Sequence, residues 1–107
     1  MTNSNEVKTE NRIHVLKGDE ERNVWLNGKQ LLPGESQKER NHSPDGFNWG
    51  YGGSGPAQLA LAVLLKLTGR SEGYHQFKWK YIAPLCIDEP FKIMFTDADI
   101  AKVISGE

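Results

Sequence analysis

Trp49-Gly50-Tyr51-Gly52-Gly53-Ser54-Gly55-Pro56, continuing as Ala57-Gln58-Leu59-Ala60-Leu61-Ala62-Val63-Leu64-Leu65-Lys66-Leu67-Thr68-Gly69, decides how this chain folds. From Ala57 to Thr68 only Gln58, Lys66 and Thr68 are polar, so the helix predicted there is apolar nearly all round. Such a helix is buried on most sides. Its five leucines and one valine contribute on the order of 10–15 kcal/mol gross, at about 1.5–3 each. It is therefore predicted to be the core. Pro56 suits the first helical position, with Ser54 or Gly55 as N-cap, and Gly69 supplies a left-handed stop.

Working outward, Arg12–Lys17 reads as a strand ending at Gly18-Asp19, and Val24–Leu32 as a β-hairpin turning at Asn27-Gly28. Asn-Gly favours the type I′ turn, in which both central residues take positive φ. Pro33–Asp45 has no apolar residue and is predicted to be a long surface loop. Phe47, Trp49 and Tyr51 alternate with Asn48 and Gly50, the period of a strand with three aromatics on one face. Beyond Gly69, a second helix is expected from Ser71 or Glu72 to Ala83, where Pro84 stops it. Its buried stripe is Tyr74, Phe77, Tyr81 and Ile82, with Lys78 and Lys80 outside it. Phe91–Phe95 reads as a strand, and Thr96 as the cap of a last helix over Asp97–Ser105. The sum is an α+β fold, with a small antiparallel sheet packed on the central helix and two further helices. Met1–Asn11 is polar and aperiodic, which predicts a flexible tail before a single domain over residues 12–107.

A net charge of −1 argues against nucleic-acid or membrane binding driven by bulk charge. No apolar run reaches the roughly 20 residues of a membrane span, and nothing near Met1 resembles a signal peptide, so a cytoplasmic location is expected. Cys86 is the single cysteine and is expected to act as a small hydrophobe.

The stretch His42-Ser43-Pro44-Asp45-Gly46-Phe47-Asn48-Trp49-Gly50-Tyr51-Gly52-Gly53-Ser54-Gly55-Pro56-Ala57-Gln58-Leu59-Ala60-Leu61-Ala62 resembles the signature of an uncharacterised family of small domains found in bacteria, archaea and their viruses. Tyr74–Trp79 is similar to that family's second helix, and the hairpin at Asn27-Gly28 and Leu31 has its counterpart there. The resemblance spans most of residues 22–105 and implies a domain of unknown function. Because members are often encoded near mobile elements, it also implies a regulatory or host–virus role.

The glycine-rich loop is the candidate site. Gly-x-x-x-x-Gly-Lys-[Ser/Thr] has no match, and Gly50-x-Gly52-x-x-Gly55 fits only the bare dinucleotide pattern, without a downstream acid. A helix N-terminus contributes about 0.3–2 kcal/mol toward an anion, whereas micromolar binding needs about 8. Further donors are therefore required: loop N–H groups, an aromatic surface and a cation. Trp49, Tyr51, Gly52, Gly53, Ser54, Gly55 and Gln58 are the ligand candidates, with Lys78 and Lys80 returning on the second helix. Gln58 also suits a capping box at N3. Lys66, Arg70, Lys78 and Lys80 among aromatics make a weak single-strand nucleic-acid pattern.

His14, His42 and His75 are scattered in sequence, so no metal site is assigned. Ser54 lacks the Gly-x-Ser-x-Gly elbow, so no catalytic residue is assigned either, and no cofactor is implied. The leading expectation is a non-enzymatic binding or regulatory domain holding a small anionic ligand at the loop. The alternative is a protein–protein interaction module using Trp49, Trp79 and the long loop. A small enzyme or weak nucleic-acid binder comes third.

Overall fold

A computed structural model describes residues 11–106. Its elements are β1 (Ile13–Gly18), β2 (Val24–Leu26), β3 (Lys29–Leu31), α1 (Gly34–Glu39), α2 (Ser54–Thr68), α3 (Tyr74–Phe77) with a π turn over Lys78–Ile82, β4 (Phe91–Thr96) and α4 (Asp97–Ser105). The four strands form one antiparallel sheet in the order β3-β2-β1-β4. Helices cover the face that carries Leu16, Val24, Leu26, Leu31 and Phe95, all buried, while Ile13 and Met94 on the other face are exposed. This is the α+β architecture expected.

The hairpin forms as its Asn-Gly pair requires, with φ of 54° at Asn27 and 83° at Gly28. Asn27 does more than turn the chain. Its Oδ1 accepts the N–H of Val15 at 2.9 Å, and its Nδ2 lies 3.0 Å from Nδ1 of buried His14. Because the amide donates to Nδ1, the other ring nitrogen carries the proton and donates to Asp97 Oδ1 at 2.7 Å. Asp97 also accepts the Arg12 backbone N–H, and its carboxyl is held at about 2 by the His14 and Arg12 hydrogen bonds. One polar chain thus ties β1, the hairpin and α4 together.

α2 is the core. Ten consecutive residues, Gly55–Leu64, are buried, and Leu59, Leu61, Val63 and Leu64 pack with Trp49, Phe77, Ile82 and Phe95. Gly69 ends it with φ 75°, as expected. Its start differs from expectation: the helix begins at Ser54 after an N-cap at Gly53, which puts Pro56 third. Proline costs no bond there, because the first turn's N–H groups have no intrahelical acceptor.

Four other expectations are corrected. Residues 34–39 are helical, not loop, because Ser36 is buried by hydrogen bonds (its Oγ donates to Pro33 O and accepts from Gln58 Nε2, both at 2.8 Å) rather than by apolar contact. The aromatic run over 47–51 is irregular rather than a strand: Gly50 at φ 90° turns the chain, leaving Trp49 buried and Tyr51 39% exposed. The second helix begins only at Tyr74, after Gly73 at φ 85°, and widens to a π turn at Lys78. α4 and its Thr96–Asp99 capping box form as expected. Cys86 is exposed rather than packed as a hydrophobe. Of the tail expected over Met1–Asn11, only Asn11 lies among the described residues, and its Oδ1 accepts the N–H of Ala98 in the first turn of α4.

Candidate functional site

The loop before α2 is shaped by close packing. Gly50 donates its N–H to Ile82 O at 3.1 Å, and a side chain there would meet the backbone of Ile87 at 2.6 Å. A side chain at Gly52 would collide with the Trp79 indole. These two glycines therefore answer to packing whatever else the loop does. The first α2 bond joins the Ala57 N–H to Gly53 O at 3.1 Å, so the N–H groups of Ser54 and Gly55 lie ahead of it without intrahelical acceptors.

Lys78 crosses to this loop from the π turn. Its Nζ donates to Gly52 O at 3.2 Å and lies 4.3 Å from the Trp79 ring centroid, a cation–π distance. The residue is only 7% exposed. No carboxylate pairs with it among the described residues. The ammonium has three donors and uses one on Gly52. Trp79 is 60% exposed, so the indole beside this cation opens to solvent.

Two imidazoles and a guanidinium complete the neighbourhood. His42 Nε2 lies 2.9 Å from the Tyr74 hydroxyl, and its ring centroid is 6.3 Å from that of His75. His75 in turn packs on the Tyr74 ring at 4.1 Å. Burial, then the charges of His75, Arg40 and Lys78, push the His42 imidazole below its ordinary value. Burial, then Lys78 and Arg40, do the same at His75. Every charge acting on these rings is positive.

Gln58 locks this arrangement from beneath. It is 0% exposed. Its Oε1 accepts the N–H groups of His42 at 2.8 Å and Ser43 at 3.0 Å. Its Nε2 donates to Ser36 Oγ at 2.8 Å and Arg40 O at 3.2 Å. One amide on the core helix thus fixes α1 and the segment carrying Arg40 and His42. The capping box expected of Gln58 is not made, because the earlier helix start moves it beyond N3.

The remaining candidates separate. Trp49 is 0% exposed and points away from the site: its indole donates to Glu89 O at 2.8 Å and packs edge-on against Phe91 at 4.7 Å. Lys80 lies 5.6 Å from the Tyr81 ring and acts on Asp99, away from the loop. Tyr51, Gly52, Gly53 and Ser54 stay at the surface or partly so, and Gly55 is buried. Reading the sequence alone weighs His42 only with Ser43, Asp45 and Ser54 as a catalytic constellation and places Tyr74 in the buried stripe. It gives Arg40 and His75 no ligand role and does not foresee the pairing of the two imidazoles. Lys78, expected outside the buried stripe of the second helix, is instead buried within it. It stands four residues after Tyr74 and four before Ile82, which is the spacing of the buried stripe itself.

No group of three or more metal-ligating side chains occurs among the described residues, and none of their helices is long and apolar enough to cross a membrane. A family model matches residues 14–106. The chain belongs to the family of unknown function DUF6166. No curated protein and no solved structure matches it.

Proposed function

We propose that this DUF6166 domain binds a small anionic ligand between the Gly52 loop and the Lys78, His42, His75 and Arg40 cluster. The observation that carries this reading is Lys78: a residue only 7% exposed, whose ammonium donates to one peptide carbonyl and has no carboxylate partner among the described residues. A cation in that state is completed by an anion from outside. The ligand candidates retained are Tyr51, Gly52, Gly53, Ser54, Gly55 and Lys78, whereas Trp49, Gln58 and Lys80 hold structure around them.

The magnitudes set the ligand's size. The helix start gives about 2 kcal/mol at most, and two charge-assisted hydrogen bonds give about 1.5–3 each. These total at most about 5–8 kcal/mol gross. The cost of association takes several of them, which leaves a bare oxyanion near millimolar, at about 4 kcal/mol. Stacking on the exposed Trp79 face contributes a further ~1–3 kcal/mol to a ligand that also carries a planar ring. Binding rather than catalysis fits His42, whose hydrogen-bond partner is the Tyr74 hydroxyl and not a serine or a carboxylate. A cytoplasmic setting in a bacterium or phage-infected cell, where phosphorylated metabolites are abundant, belongs to the same proposal.

The test is an amide-shift titration with sulfate and with a nucleoside monophosphate. Expected are shifts at Gly52–Gly55, Ala57 and the Trp79 indole, tighter for the nucleotide, and lost in Lys78→Gln. Silence at these positions at millimolar concentrations of both probes contradicts the proposal.

A further inference from the structure

A second surface lies along β3 and is separate from the anion site. β3 is an edge of the sheet, paired with β2 alone. Leu26↔Lys29 and Val24↔Leu31 flank the two-residue turn as bonded pairs, so the alternating ladder turns the N–H and C=O of Gln30 to the open side. Beside this edge run adjoining concavities of about 320, 350 and 380 Å³, all lined by Leu31 and Lys66. Their floor is aliphatic. Leu31 and Leu65 line it, and Leu32 is left 65% exposed. Their charged rim is Lys29, Lys38 and Lys66 against Glu35 alone. None of these lysines is ion-paired among the described residues.

We infer that the β3 edge and its groove dock an extended acidic segment of a partner protein, which joins the sheet as a fifth strand. Main-chain bonds to Gln30 supply register, and the groove reads side chains. The segment carries an apolar centre for Leu31 and Leu32 and flanking carboxylates for the three lysines. No aromatic side chain lines these concavities, which favours a peptide over single-stranded nucleic acid. Lys66 stands twelve residues along α2 from Ser54, about 18 Å away at 1.5 Å per residue, so the two sites are independent.

The probe is a heptapeptide, acetyl-Glu-Glu-Val-Ile-Val-Glu-Glu-amide, added to the full-length labelled chain. Expected are amide shifts at Gln30 and Leu32, at least tenfold slower hydrogen exchange at Gln30, and no change at Gly52–Gly55 or Ala57. Gln30→Pro removes the outward N–H and leaves the ladder to β2, so it abolishes binding in a folded protein. Lys38→Glu with Lys66→Glu, both exposed, weakens binding at least tenfold, and this variant decides the matter if Gln30→Pro does not fold. Equal binding of a peptide with Lys in place of Glu overturns the inference. So does a chain that is dimeric alone with Gln30 already protected, or a nucleic-acid oligomer that displaces the peptide.

Discussion

The ammonium of Lys78 lies 3.2 Å from the carbonyl of Gly52 and 4.3 Å from the centre of the Trp79 ring. Gly52 permits this sandwich, since a side chain there would push the indole away. The contact joins the two halves of the proposed site, the loop that opens α2 and the turn that follows α3. It also leaves two of the ammonium's three donors without a partner among the described residues, which suits it to an anion.

Replacing Lys78 by methionine separates binding from folding. A core substitution ordinarily costs about 1 kcal/mol, but removing an ammonium that has no carboxylate partner among the described residues offsets that loss. Lys78→Met is expected to leave the thermal midpoint unchanged or raised while binding of a nucleoside monophosphate falls at least tenfold. Thermal unfolding and calorimetry check this. A midpoint several degrees lower would mean that Lys78 is structural.

Gln58 is expected to be the most sensitive polar position. Gln58→Leu keeps the volume but leaves the Ser43 N–H without its partner and takes one of two partners from the His42 N–H, Arg40 O and Ser36 Oγ. At about 1–3 kcal/mol for the group left unpaired and about 0.5–1.5 kcal/mol for each further bond lost, the loss exceeds about 2 kcal/mol. Urea unfolding measures it, and a loss below about 1 kcal/mol would show that water replaces the amide freely.

The loop glycines divide by what opposes them. At Gly50 a side chain faces the Ile87 backbone at φ 90°, so Gly50→Ala is expected to cost about 2–4 kcal/mol. At Gly52 the obstacle is the exposed Trp79 indole, which swings aside, so Gly52→Ala costs less than about 1 kcal/mol. The second variant nevertheless breaks the Lys78–Trp79 contact and weakens nucleotide binding. Equal stability losses would refute the distinction.

Acid acts in two stages. His42 and His75 have lowered native values, so the unfolded chain takes up protons first as pH falls. Stability is therefore full above the ordinary histidine value of 6.5, declines as pH falls through it, and levels off below the native values. Asp97 adds a later loss between 3.8 and about 2, where its hydrogen-bonded carboxylate is protonated. Urea midpoints from pH 8 to 2.5 reveal both steps, and sulfate is expected to restore part of the first. A midpoint that rises from pH 7.5 to 5.5 contradicts the assignment.

The elements legible in the sequence were those whose cause is local. The Asn27-Gly28 turn, the Gly69 stop, the Thr96 cap and the apolar run of α2 each state their conformation in a few residues. α1 is hidden because tertiary hydrogen bonds anchor it in place of apolar spacing: Gln58 to Ser36, 22 residues apart, Gln58 to Arg40 O and Gln37 to Ser43 O. The site was half legible for the same reason. The glycine loop and Lys78 stand out by type, but only tertiary packing brings His42 beside His75 and gathers both near Lys78. Trp49, chosen for its neighbours in sequence, serves the sheet side of the core instead.

The most direct test of the anion site is the titration of the His42 and His75 rings, followed by NMR with and without saturating sulfate, whose charge is constant over this range. Both rings are expected to titrate below 6.5 alone. Each is expected to rise by about 0.5 unit or more when sulfate binds, because an anion reverses the field of Lys78 and Arg40. The rise is expected to vanish in Lys78→Gln. Ring titrations that ignore sulfate, or that respond equally in Lys78→Gln, would contradict a ligand site at this loop.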